Sequence, residues 1–88
     1  MNTWRKHPFK EGCIYKAKES FTGFFKGGQF VAGQNYLFES AGYSRYDSST
    51  VFTFQEQGSS EPTYWWWHDD HPDTQCQERF EIFKHESA

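Results

Sequence analysis

The chain has 88 residues, enough for one domain, and its 35% hydrophobic content comes mostly from 19 rings (10 Phe, 5 Tyr, 4 Trp). One Leu, two Ile and two Val cannot fill an interior, so the core must be aromatic, and rings favour strands. The formal net charge of −3 and the absence of any basic run argue against non-specific binding to a nucleic-acid polymer, and no apolar stretch approaches membrane-spanning length.

Met1–Lys10 reads as an N-terminal arm. Pro8 lacks an N–H and cannot join a central strand, and no apolar run marks a signal peptide. The domain is placed at residues 11–85, with 86–88 as a frayed tail. Residues 13–20 form a first strand. Residues 21–26 carry three Phe towards the Gly27-Gly28 turn. Residues 29–32 form a short strand into the turn at Gly33-Gln34-Asn35. Residues 36–40 are apolar on both faces and read as a strand covered on both sides. Residues 41–49 are rich in Gly, Ser, Tyr and Asp and read as a loop. Residues 50–56 alternate clearly, with Phe52 and Phe54 on one side.

After a polar turn at 57–62 comes Tyr64-Trp65-Trp66-Trp67-His68-Asp69-Asp70-His71, the most informative segment. On a strand, Trp65 and Trp67 face one way while Tyr64, Trp66 and His68 face the other. A six-residue loop at 57–62 would pair Phe54 with Trp65 and Phe52 with Trp67, giving one apolar core face. Tyr36 or Phe38 should pack against it. Asp69–Asp73 is an acidic loop broken by Pro72. Thr74-x-x-Gln77 fits a capping box for a short helical turn at 74–78, and a closing strand follows at 79–84.

These elements describe an all-β domain: a small SH3-like barrel or a strongly curled antiparallel sheet of 5–6 strands, with at most one helical turn near 74–78. The spacing Gly12-x-x-Tyr15, then Phe21, then Phe30-x-x-Gly33-x-x-Tyr36-x-Phe38 resembles small bacterial domains of unknown function with an SH3-like barrel. The resemblance covers residues 12–56. It implies the fold and assigns no functional residue.

Charge divides along the chain: residues 1–46 carry net +4 and residues 47–88 net −7. The two halves can attract each other within the fold, or an acidic face around Asp69, Asp70 and Asp73 can meet a basic partner. Cys13 and Cys76 match no metal or redox spacing, so two free thiols in a reducing cytoplasm are expected.

Three chemistries compete at the Trp segment. His68, Asp70 and His71 could serve a metal-assisted enzyme, but a zinc site wants more ligands, and an acidic turn explains them. His68 and Asp70 could act as base and orienter, yet no nucleophile elbow, phosphate loop or metalloprotease helix is present. Recognition fits better. Tyr64 and Trp66, beside His68, Asp69 and Asp70, could hold a cationic group by cation–π contact and ion pairing. Tyr43, Arg45 and Tyr46 could join them around a nucleotide-like small molecule. The bland alternatives are that the arm, with Trp4 and Phe9, covers this face, and that Arg45-Tyr46-Asp47 is a turn pinned by an Arg–Asp pair. The expectation is a non-enzymatic module that contacts a protein partner, inhibitor- or immunity-like by analogy, without metal or cofactor. A small-ligand binder is the alternative.

Overall fold

The computed structural model describes residues 6–23 and 28–81. The expected Trp4 contact, the residues beyond 81 of the closing strand, and the tail lie outside these. Among the described residues, six strands and one helix follow in order: β1 (Ile14–Lys16), β2 (Phe21–Thr22), β3 (Gln29–Phe30), β4 (Asn35–Ser44), β5 (Ser49–Glu56), β6 (Pro62–His68) and α1 (Gln75–Arg79). Strands β1-β4-β5-β6 make an antiparallel sheet, and β2-β3 a two-stranded ribbon. The ribbon lies against the free edge of β6, where Trp66 N–H donates to Gly23 O (2.9 Å) and Gly28 N–H to Tyr64 O (3.2 Å). At the other edge, Lys18 N–H donates to Arg79 O (2.7 Å) and Glu81 N–H to Lys16 O (2.9 Å). The result is a strongly curled sheet, not a closed barrel.

The curl wraps an aromatic interior. Among the described residues, Phe9, Tyr15, Phe30, Tyr36, Phe38, Phe52, Phe54, Trp65, Trp67 and Phe80 are buried, with the smaller Ala17, Cys76, Ser49 and Thr50 beside them. The rings stack or meet edge to face, as their quadrupoles favour. Phe54 stacks on Phe80 at 4.9 Å, and Phe21 stacks on Phe30 at 4.7 Å. The expected inward set of Phe52, Phe54, Trp65 and Trp67 is therefore core, with both Tyr36 and Phe38 against it. The two buried tyrosines also anchor loops. The Tyr15 hydroxyl oxygen accepts Lys10 N–H and that of Tyr36 accepts Val31 N–H, each at 2.8 Å. Burial raises the pKa of both phenols.

Several expectations need correction. The β5–β6 register is shifted by two residues: Phe52 faces Trp65, Thr50 faces Trp67 and Phe54 faces Thr63. The turn sits one residue earlier than composition suggests, because Gln55 pairs with Pro62. Proline is tolerated there as the first residue of a strand, and Gly58 supplies the positive φ (93°) inside the turn. A shift of two preserves the faces, so the core survives the error. On the outer side Thr53 now faces Tyr64, Val51 faces Trp66 and Ser49 faces His68.

Residues 41–44 are strand, not loop. Their polar composition matters less than the partner β5 offers, and pairing continues to Ser44–Ser49. A bulge at Glu39 interrupts β4, where Phe38 faces Phe54 but Ser40 faces Thr53. The extra residue inverts the alternation. Tyr36 and Phe38 point inward before it, while Ala41 and Tyr43 take the inward positions after it. Nor is β4 covered on both sides, since Glu39 and Ser40 are exposed. The first strand is shorter than expected, three residues plus a bridge from Ala17 to Phe80. The helical turn forms at 75–79 without the capping box: Thr74 makes no side-chain cap, and its hydroxyl bonds the Glu78 carboxylate instead (3.3 Å). Of the closing strand, the described part is the single bridge at Phe80. Among the described residues, neither Cys13 nor Cys76 forms a disulfide.

Unfolding measurements on four variants check this packing. Phe54→Ala should lower stability by about 3–5 kcal/mol in urea unfolding, because a rigid aromatic cage cannot collapse into the hole. Tyr46→Ala, at a fully exposed ring, should stay within about 0.5 kcal/mol of wild type. Gly28→Ala should lower the unfolding midpoint as well, since its new Cβ would collide with Thr63 Oγ1. Adding Thr63→Ala should recover part of that loss.

Candidate functional site

The outer face of the hairpin and the β4–β5 turn lie at one end of the sheet, where Ser44, Ser49 and His68 stand side by side. Strand alternation places Trp66 outward next to Val51, half-buried. Tyr64, two residues earlier on the same face, is 36% exposed and meets the Trp66 ring edge to face at 6.0 Å. Trp66 does not present a free indole N–H. Nε1 donates to Asp47 Oδ2 at 3.1 Å, and the same oxygen accepts the Ser44 hydroxyl at 2.9 Å. What Trp66 offers outward is therefore ring surface.

Asp47 is the residue that sequence reasoning missed in this role. The bland alternative has the turn pinned by an Arg–Asp pair, but Ser44 and Trp66 hold Asp47 instead. Ser49 Oγ donates to Asp47 O (2.8 Å), Asp69 N–H donates to Ser48 O (2.9 Å), and Ser48 adopts φ 50°. The available signal was the Ser-x-x-Asp spacing of residues 44 and 47, which suits local side-chain bonding in a turn. Arg45 and Tyr46 project from this pinned turn, Tyr46 fully exposed. They line a cavity of about 420 Å³.

The acidic loop splits into two roles. Asp69 is half-buried and accepts the Tyr43 hydroxyl at 2.7 Å, tying the end of β4 to the end of β6. Tyr43 points to the core side of the sheet because of the bulge, so it does not join Trp66. Asp70 has a side chain 90% exposed. Its backbone N–H donates to His68 Nδ1 (3.1 Å), and its carboxylate lies 3.7 Å from the same nitrogen. The His68 and His71 rings lie 5.9 Å apart. Among the described residues, no three His, Cys, Asp or Glu side chains gather to hold a metal ion.

The eight expected site residues thus fall into three groups: Tyr64, Trp66, His68 and Asp70 on the outer face, Arg45 and Tyr46 on the turn, and Tyr43 with Asp69 in a bracing contact. On the ribbon side, Arg79 was not anticipated. Its guanidinium lies 4.1 Å from the Phe21 ring centroid and 5.2 Å from that of Trp65, with Nε 3.5 Å from Glu19 Oε2. Burial lowers its pKa, and Glu19 opposes that shift. This arrangement fastens the ribbon to the core edge.

No family model, curated protein or solved structure matches the chain. Among the described residues, no helix is long and apolar enough to cross a membrane.

Asp47→Ala should cost about 1–2 kcal/mol, because two donors lose a charged acceptor. The Trp66 indole N–H resonance should move towards its solvent-exposed position and exchange faster. Asp47→Asn, which keeps an acceptor oxygen, should show a smaller change in both readouts.

Proposed function

We propose that the outer face of the β5–β6 hairpin is the contact surface of a non-enzymatic binding module, and that its partner is a protein presenting basic side chains. The observation that carries this reading is the Tyr64–Trp66 pair. The Trp66 indole N–H is already satisfied by Asp47, so that ring can lose water without stranding its donor, and the Tyr64 hydroxyl is the polar group a partner has to bond. Rings of this kind dominate contact energies when covered. The Asp70 carboxylate stands at the rim and suits steering of a basic partner. The curled sheet is also compatible with the SH3-like resemblance, which we keep as part of the proposal.

A second reading rests on the cavity beside Arg45 and Tyr46, which suits a small anionic, nucleotide-like ligand. Tyr64 and Trp66 do not line that cavity, so the aromatic pair and Arg45 do not form one stacking pocket. This favours the protein partner.

Titration of the ¹⁵N-labelled protein with a short arginine- and lysine-rich peptide, and separately with adenosine monophosphate, discriminates the two. The peptide should shift the Trp66 indole and the Tyr64 and Asp70 amides. Asp70→Asn should weaken that response at low salt more than at high salt. Trp66→Ala should remove it while the fold persists. Shifts centred on Arg45 and Tyr46 with the nucleotide alone would move the assignment to the small-ligand reading.

A further inference from the structure

We infer that residues 6–10 form an acid-released plug, in which the neutral imidazole of His7 holds Phe9 in the open end of the curled sheet. Phe9 is 4% exposed and reaches the centre of the ring cluster, with Tyr15, Phe52, Phe54 and Phe80 at 5.0–5.4 Å. The arm therefore enters the core through Phe9 and does not use that ring to cover the outer face. His7 seals the entrance, its ring edge-on to Phe52 at 5.1 Å and tilted against Phe38 at 5.6 Å.

The hydrogen bonding makes this seal depend on protonation. Phe9 N–H donates to His7 Nδ1 at 3.3 Å. Nδ1 must then carry a lone pair, so the neutral ring bears its proton on Nε2. The next proton goes to Nδ1 itself. Two donors would then face each other, and a half-buried ring would have to carry a charge.

Asp73 is the one acidic side chain among the described residues that share a cavity with His7. On its own segment Lys6 is adjacent and adds like charge. The loop before α1 contributes Asp73 and α1 contributes Gln77; with Lys6, His7 and Pro8 they line a cavity of about 260 Å³. β4 and β5 present Phe38 and Phe52. Among the described residues no carboxylate ion-pairs with His7. Burial accordingly lowers the His7 pKa below its ordinary value of 6.5.

The sign follows from linkage. The docked segment binds fewer protons than the released one, so docking is strongest above pH 6.5 and weakens as pH falls towards the docked pKa. Within that window the released fraction rises by up to about tenfold per pH unit. The remaining fold need not follow. Beyond Lys10, Gly12 N–H donates to Phe38 O and Phe38 N–H to Cys13 O, both 2.9 Å, which hold β1 to β4 independently of His7.

The test uses the full chain between pH 7.5 and 4.5, with amide protection factors and binding of an apolar-surface dye. Protection at Phe9 and Lys10 should fall, and dye binding should rise, while β4–β6 stay protected. His7→Phe should remove the response, and His68→Gln and His71→Gln should retain it. The same acid response in His7→Phe, or protection lost together across β4–β6, would overturn the proposal. If His7→Phe does not fold, titration of the wild-type His7 ring decides: a pKa at or above 6.5 refutes the plug.

Discussion

A cage of rings has to be closed with almost no aliphatic filler, and the rest of the structure follows from that constraint. Ten aromatic side chains occupy the interior among the described residues, and they come from every part of the chain: Phe9 before β1, Phe30 in the ribbon, Phe80 after α1. Flat rings do not deform to fill gaps, so each open side of the curled sheet needs its own ring delivered at a fixed angle. The short strands are consistent with this demand. β1, β2 and β3 are too brief to be stable ladders alone. They serve mainly to place Tyr15, Phe21 and Phe30.

The same constraint sorts the polar residues. Hydroxyls of buried rings reach backbone at the margin, as Tyr15 does with Lys10 and Tyr36 with Val31. The half-buried Tyr43 instead donates to the Asp69 carboxylate. Arg79 packs its guanidinium over Phe21 and near Trp65, where an aliphatic edge would otherwise be needed. The candidate surface is thus braced from below. Asp69 and Asp47 belong with these braces, and Asp70 and Tyr64 with the exposed face.

What could be read from the residues was whatever depends on local alternation. Phe52/Phe54 and Trp65/Trp67 announce their inward face because period two is a property of a single strand. Trp66 and Tyr64 follow on the other side for the same reason. What could not be read depends on a second segment. The register needs the turn geometry at Gly58 and Pro62. The strand at 41–44 needs its β5 partner. Phe9 looked like part of a detached arm because its docking site is assembled from residues as distant as Phe80. The bond from Trp66 to Asp47 is not legible locally because the two residues lie 19 positions apart.

The bulge at Glu39 works like a shifted reading frame. One strand carries two opposite codes, so the same alternating sequence means core on one side of residue 39 and surface on the other. The frame before it serves the aromatic cage, and the frame after it aims Ser44 at the turn and Tyr43 at the acidic loop. A straight ten-residue strand could satisfy either end but not both. The single inserted position lets one continuous strand join the interior to the face that remains open to solvent.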